Sequence, residues 1–190
     1  MLIDRNTELP EVFKIIFDEF HQAATEPSHP FRFLSLATTD QEGPDIRYVV
    51  LRAVDGEGRL YFFTDYRTQK INHLQTNPQI ALLFYNSEKR VQIRIKAKAS
   101  IHRGNYEAEK YWQTVEGDAR KAYNPLTLPG AKISDPKEAY RWPKQMESTN
   151  FSVVQVIPYE IDVLQLDGLN HIRARFARVE ADWEMDWVAP

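Results

Sequence analysis

The sequence predicts a mainly β chain with helices (α+β), folded as an antiparallel barrel. Three observations carry this. From Val91 to Ile101, apolar Val91, Ile93, Ile95, Ala97, Ala99 and Ile101 alternate with Gln92, Arg94, Lys96, Lys98 and Ser100, the period of a strand with one wet face. Roughly seven strand-like segments follow one another, mostly in hairpin order with Gly- and Pro-marked turns. Helical periodicity is confined to one leading segment and to inserts in the second half, which decorates a barrel rather than crossing a parallel sheet.

The elements follow in order. Glu11 to Ala24 places Val12, Phe13, Ile15, Ile16, Phe17 and Phe20 on a wide helical stripe, suited to a sheet or to a partner subunit. Pro27 and Pro30 break the chain. Phe31–Thr38, Ile46–Ala53 and Arg59–Thr64 read as three strands of a meander, turned at Gly43-Pro44 and at Asp55-Gly56-Glu57-Gly58. A short helix follows, ended by Pro78. Gln79–Tyr85 is nearly all apolar and reads as a strand buried on both faces. After the alternating strand, Asn105–Tyr123 reads as a helix weakened at Gly117 by about 1 kcal/mol relative to Ala. A loop spans Asn124–Ile133. Ser134-Asp135-Pro136 signals a short helix over Lys137–Trp142. Ser152–Ile157 and Glu160–Leu166 are strands joined at Pro158, and His171–Phe176 is a last strand with His171, Arg173 and Arg175 on one face. The whole is expected to be one domain, residues 1–190, with a helix and linker over 1–30 and a helical insertion over 105–150.

Composition narrows the function. The chain has 190 residues, 43% hydrophobic and 27% charged, with a net charge of -3, and a pI near 6.0. This balance disfavours a dedicated nucleic-acid binder. With no cysteine, disulfides and thiol catalysis are excluded. The five histidines are scattered without ligand spacing, so no metal site is expected. No apolar run is long enough to span a membrane, and no signal-peptide pattern opens the chain, so a cytoplasmic location is the expectation.

The most informative stretch is Phe62-Phe63-Thr64-Asp65-Tyr66-Arg67-Thr68-Gln69-Lys70, a strand end running into the short helix. Thr64, Asp65 or Thr68 could cap that helix. Arg67 and Lys70 sit where the macrodipole disfavours cations, a conflict that a bound anion removes. The stretch is therefore a candidate phosphate seat. Added to Arg47, Arg52, Gln92, Arg94, Arg173 and Arg175, it suits a flat, phosphorylated, partly apolar ligand such as flavin mononucleotide (FMN).

The order Arg47-Tyr48-Val49-Val50-Leu51-Arg52, Phe63-Thr64, Thr68-Gln69-Lys70, Asn77-Pro78 and Gln92-Ile93-Arg94-Ile95 resembles the pyridoxamine 5'-phosphate oxidase-like flavoproteins, which have the split-barrel fold. The resemblance runs from about Phe33 to the C-terminus and implies an FMN-binding homodimer with the flavin at the subunit interface. It places Arg47 and the strand Tyr48, Val49, Val50, Leu51 along the flavin ring, and Phe63 and Thr64 on the ribityl-phosphate arm. Thr68 and Lys70 are implied at the phosphate with Gln69 and Arg67 beside them, and Gln92 and Arg175 at the ring. Arg52, Tyr111, His171 and Arg173 are implied on the substrate side.

The chain also departs from that pattern. Gln69 stands where the oxidases carry an Arg, and Leu164 where they carry a Trp. Val115 and Ala119 replace a substrate-contacting Arg and Ser, and His171-Ile172-Arg173 replaces Arg-Leu-His. The expectation is an FMN-dependent oxidoreductase whose small-molecule substrate is not pyridoxamine phosphate, with no assigned general base. The alternatives are a flavin-binding or storage module without turnover, or a true oxidase with a remodelled substrate site.

Overall fold

The computed structural model describes residues 1–190. Its nine strands form one antiparallel sheet. The path runs β2 (Gly43–Val50), β1 (Phe33–Asp40), β5 (Gln79–Asn86), β6 (Val91–His102), β7 (Phe151–Gln165), β4 (Leu60–Asp65), β3 (Ala53–Val54). β8 (Ile172–Val179) pairs with β7, and β9 (Asp182–Trp187) pairs with β8. Three α-helices decorate the sheet: α1 (Leu9–Thr25), α2 (Gln69–Thr76) and α3 (Tyr106–Trp112). No helix is long and apolar enough to cross a membrane.

The two ends of the sheet path, β2 and β3, are neighbours in sequence, separated only by Leu51 and Arg52. The Leu51 N–H donates to the Arg32 carbonyl at 2.9 Å, still on the β1 side, and the Arg52 N–H donates to the Tyr61 carbonyl at 2.8 Å, on β4. The chain changes partner strand between two adjacent residues, and this curls the sheet toward a barrel. The expected meander is thereby corrected. β1–β2 and β3–β4 are separate hairpins, because one straight strand over 46–53 cannot lie beside both β1 and β4.

Three further expectations are corrected. Pro158 does not separate two strands: β7 is continuous over fifteen residues. The register shifts between Lys96 and Ala97, which pair with Glu160 and Pro158 and leave Tyr159 over as a bulge. A bulge is where a strand tolerates a residue that has no N–H to give the ladder. The helix from Asn105 stops at Trp112. The Thr114 hydroxyl donates to the Tyr111 carbonyl at 2.7 Å, a local turn that competes with the helix. Gly117 then takes φ +52 and starts a 3-10 turn, Gly117–Tyr123. The predicted helix after Asp135 is a 3-10 turn, Pro136–Ala139, held by a capping box between Asp135 and Glu138.

Burial explains which faces can carry a site. Val12, Ile16, Phe20 and Ala23 of α1 join the main core inside the barrel, so the leading stripe is used within the chain. A second cluster, including Tyr61, Trp112, Tyr123, Phe151 and Val153, packs α3 and the following 3-10 turn onto the outside of β4 and β7. β5 was expected to be buried on both faces. Its burial alternates instead, because no element covers its outer side. Phe33, Ile46, Tyr48 and Tyr85 are exposed on the same face, Tyr48 by 75%. Cross-strand register aligns Tyr48, Ser35, Leu83, Arg94, Asp162 and Arg175 in one row across β2, β1, β5, β6, β7 and β8. The outer surface of the sheet thus grades from apolar at β2 to charged at β8.

Candidate functional site

The largest well-formed cavity, about 590 Å³, opens where β4 runs into α2. One wall is Tyr48, Val49, Val50 and Arg52; the floor is Phe63, Thr64, Thr68 and Lys70; the far wall is the loop after Tyr123, including Pro125, Leu128 and Ile133. At its polar end the Lys70 ammonium donates to the Thr64 hydroxyl at 3.1 Å, and the Thr64 and Thr68 hydroxyl oxygens are 3.3 Å apart. Thr68 occupies the N-cap position of α2, yet its side chain makes no capping bond and donates to the Asp65 carbonyl at 2.8 Å. In the first turn of α2 the Ile71 N–H is taken by the Thr68 carbonyl at 3.0 Å, and the Gln69 and Lys70 N–H groups receive no side-chain cap. Burial, and then the neighbouring Arg47, pull the Lys70 ammonium below its ordinary value, with Asp65 and Asp45 opposing. A half-buried ammonium whose direct partner is a neutral hydroxyl favours an anion beside it.

The other cations of the stretch are engaged. Arg67 grips Asp65 through Nε at 3.0 Å and Nη2 at 2.6 Å, and Nη2 also donates to the Pro125 carbonyl at 2.9 Å. Asp65 is thus neutralised at the cavity wall while Arg67 ties the 124–133 loop to the strand end. Arg47 pairs with Asp45 and donates to the Thr38 hydroxyl at 2.6 Å, which lies 2.9 Å from Nδ1 of the buried His73 on α2. Leu51 points into the core, and Gln69 is exposed at the start of α2.

Gln92, Arg173 and Arg175 lie elsewhere. A second cavity, about 450 Å³, is framed on the β6–β8 face by Arg94, Lys96, Glu160, Asp162, Arg173 and Arg175. Asp162 binds Arg94 at 3.0 Å and Arg173 at 2.8 Å; Glu160 binds Lys96 at 3.0 Å and Arg175 at 2.9 Å. Burial alone would raise both carboxyls, but hydrogen bonds from Arg173 and Arg94, and from Lys96 and Arg175, hold them below their ordinary values. Gln92 pairs with Leu164 on the same face region, and His171, exposed, accepts from the Asp167 N–H at 3.1 Å. Thr64 faces Ser152 and Arg175 faces Asp162 on β7. That separation along one strand is on the order of 30 Å, longer than a mononucleotide. Within one chain, the two groups of predicted residues do not meet around a single ligand.

A sequence model of the family described as pyridoxamine 5'-phosphate oxidase matches residues 20–162. The chain belongs to this family. The pyridoxine/pyridoxamine 5'-phosphate oxidase of Deinococcus deserti is 28% identical over 172 residues, covering 83% of this chain and 78% of the relative. That of Rhodopseudomonas palustris is 34% identical over 110 residues, covering 57% of this chain and 50% of the relative. Among solved structures, a pyridoxamine 5'-phosphate oxidase-related FMN binding protein from Nostoc punctiforme is similar with a TM-score of 0.77 at 22% identity, over 92% of this chain and 96% of that one. PhzG from Burkholderia lata 383, in complex with tetrahydrophenazine-1-carboxylic acid, gives 0.76 at 19% identity, over 98% and 95%. These two likenesses are of fold.

In this member of the pyridoxamine 5'-phosphate oxidase family, a third cavity of about 340 Å³ adjoins the first and shares Arg52, Phe63 and Tyr123 with it. Tyr111 lies here, its ring 5.2 Å from Phe63 and 5.3 Å from Tyr61. Burial, with Tyr61 next, pushes its hydroxyl up to about 12, so it stays a donor. Val115 belongs to the second core cluster and also edges this cavity, with exposed Ala119 beside it. The loop wall of the first cavity was not foreseen as a site. Its only signal was composition: Pro125, Pro129 and Gly130 among small and apolar residues, in a stretch too long for a simple turn.

Proposed function

We propose that this chain is an FMN-dependent oxidoreductase acting as a homodimer on a small organic substrate other than pyridoxamine phosphate. The observation that carries the reading is Lys70: an ammonium depressed by burial, 3.1 Å from Thr64, at the mouth of a helix and at the polar end of a cavity of ligand size. That donor set fits a phosphate, and the aromatic and aliphatic wall of Phe63, Tyr48, Val49 and Val50 fits a flat ring beyond it. The name of the Nostoc relative, an FMN binding protein, supports flavin as the phosphorylated ligand. When bound, FMN supplies the hydride or electron transfer, and the protein supplies position and charge. In this assignment Thr64, Thr68 and Lys70 hold the phosphate, and Arg52 and Tyr111 face the substrate.

The strand separation of Thr64 and Arg175 supports the dimer. If Gln92, Arg173 and Arg175 also serve the ring and substrate, they serve the flavin of a second copy. The uncovered Phe33, Ile46, Tyr48 and Tyr85 face gives that copy an apolar surface to bury. Val115 and Ala119 carry no side-chain donor where the oxidases place an Arg and a Ser, which argues against a phosphorylated amine. The test is direct. The purified protein is expected to be yellow, to release FMN on denaturation, to sediment as a dimer, and to turn over pyridoxamine phosphate negligibly. A colourless monomer that takes up no FMN would overturn the proposal.

A further inference from the structure

The third cavity contains an arrangement that the flavin does not use. Arg32, just before β1, and Arg52, at the β2–β3 hand-off, both face it. Neither guanidinium has a carboxylate within the 4.0 Å of an ion pair, although Glu116 stands at the same cavity. The arginines that line the second cavity each have such a partner: Arg94 and Arg173 have Asp162, and Arg175 has Glu160; Arg67, beside the first, has Asp65. Arg32 is drawn below its ordinary value by burial and then by Arg52 itself. Two like charges have been brought together over an aromatic wall without an internal counterion.

The free donors set the ligand. Arg32 spends Nη1 on the Ala23 and Ala24 carbonyls at the end of α1, which fixes it as a field; Arg52 gives one hydrogen bond to the Tyr123 hydroxyl and keeps its remaining N–H groups for a ligand. The Thr114 hydroxyl spends its one proton on the Tyr111 carbonyl. The Tyr111 hydroxyl remains a donor. The remaining N–H groups of Arg52 and the Tyr111 phenol, beside the Tyr123 phenol that Arg52 already meets, match a planar monoanion better than a phosphate, which asks for donors around three oxygens. Phe63, Val115 and Tyr123 supply the surface for an apolar, flat body.

We infer that the Arg32–Arg52 cavity binds the carboxylate of an aromatic acid, and that such acids are the substrate class of this chain. The cavity itself stands on its own residues; calling the acid a substrate rests on the proposed flavin chemistry. The cation absent at Val115 is replaced from a different part of the chain, with a different anion preference.

The experiment is calorimetric titration of the protein as purified with 2-naphthoate, 2-naphthalenemethanol and 2-naphthyl phosphate. The carboxylate is expected to bind at least about tenfold more tightly than the alcohol, as a charge-assisted contact requires, and more tightly than the phosphate. Arg52→Gln should abolish that preference and Arg52→Lys restore part of it, with the affinity of the alcohol unchanged in both. Val115→Arg, a variant on another element, should shift preference toward the phosphate ester. Equal affinity for carboxylate and alcohol, or preference for the phosphate in wild type, would overturn the inference. FMN content is measured in the same samples. A carboxylate preference without FMN refutes the flavin reading and keeps the site. FMN without that preference refutes the site alone.

Discussion

Lys70 at the start of α2 touches a threonine hydroxyl and no carboxylate, whereas Arg94, Lys96, Arg173 and Arg175 on the β6–β8 face divide two carboxylates among four cations. In the sequence both groups are simply basic residues on the flanks of strands. The fold separates them. β7 brings Asp162 and Glu160 into register with Arg94 and Lys96 on one side, and on the other places them diagonal to Arg173 and Arg175, within ion-pair reach. No carboxylate forms an ion pair with Lys70: Asp65 and Asp45 act on it only at longer range, Asp65 being held by Arg67 and Asp45 by Arg47, and its direct partner is the Thr64 hydroxyl. A cation supplied with its own counterion is largely structural. A cation desolvated without one is prepared for a ligand.

The largest effect expected from this contrast is at Lys70. Lys70→Ala should weaken FMN binding by about 1.5–3 kcal/mol, the range for hydrogen bonds to charged groups. Riboflavin, which lacks the phosphate, should bind wild type and variant alike. Fluorescence titration of both ligands gives the answer, and equal FMN affinity in the two proteins would remove the phosphate seat. The matching change on the other face is Asp162→Asn. It leaves two guanidiniums without their shared partner and should cost about 1 kcal/mol in urea unfolding, a modest figure because Arg94 is half-exposed. FMN affinity should fall less than in Lys70→Ala.

Much of the fold was legible because its signals are local. Alternation at Val91–Ile101, the apolar stripe of α1 and the turn residues at Gly43 and Gly58 depend only on neighbours in sequence, and the strands they predict are present. β9 was missed although Trp183 and Met185 alternate with acids, because its hairpin turns through Glu180 at φ +55 with no glycine to mark it. The hand-off at Leu51–Arg52 was invisible for another reason: both halves are good strand sequence, and only barrel closure requires the break. The gathering of Thr64, Thr68 and Lys70 at one cavity was legible in the sequence, but the ion pair of Arg67 with Asp65, only two residues apart, was not. The loop wall and the Arg32–Arg52 pairing depend on contacts between distant segments, which no pattern along the chain records.

The pH dependence of stability should divide the two regions in a similar way. Asp162 and Glu160 lie below their ordinary values of 3.8 and 4.5 in the folded protein. Their contribution is therefore present above those values and is lost as pH falls through the lower folded ones. Lys70, also lowered, acts in the alkaline window. The unfolded chain holds that proton up to about 10.5 while the folded chain releases it earlier, so the anion-free protein gains stability as pH rises toward that value. Urea unfolding of wild type and Lys70→Gln between about pH 8 and 9.5, below the ordinary range for tyrosine, isolates this contribution by difference. Saturating FMN should flatten it. An identical slope with and without FMN would break the link between Lys70 and the phosphate.

The smallest effect on phosphate recognition is expected at Arg67, and it is the sharpest test of the contrast. Arg67 is a cation within three residues of Lys70 and would serve as a second phosphate ligand if proximity in sequence decided the matter. Its donors are instead directed to Asp65 and to the Pro125 carbonyl, and the pairing with Asp65 raises its pKa. Redirecting it to a ligand would strand Asp65, which is 4% exposed, and a buried carboxylate left unpaired costs more than one added contact returns. Arg67→Gln should therefore loosen the 124–133 loop and weaken FMN and riboflavin by similar factors, since both lie under that wall. The ratio of the two affinities should stay within about twofold of wild type, well below the change that a lost charge-assisted contact produces. Loss of FMN binding with riboflavin unaffected would show that Arg67 leaves Asp65 to meet the phosphate, and the division between paired and unpaired cations would not hold at this end of the molecule.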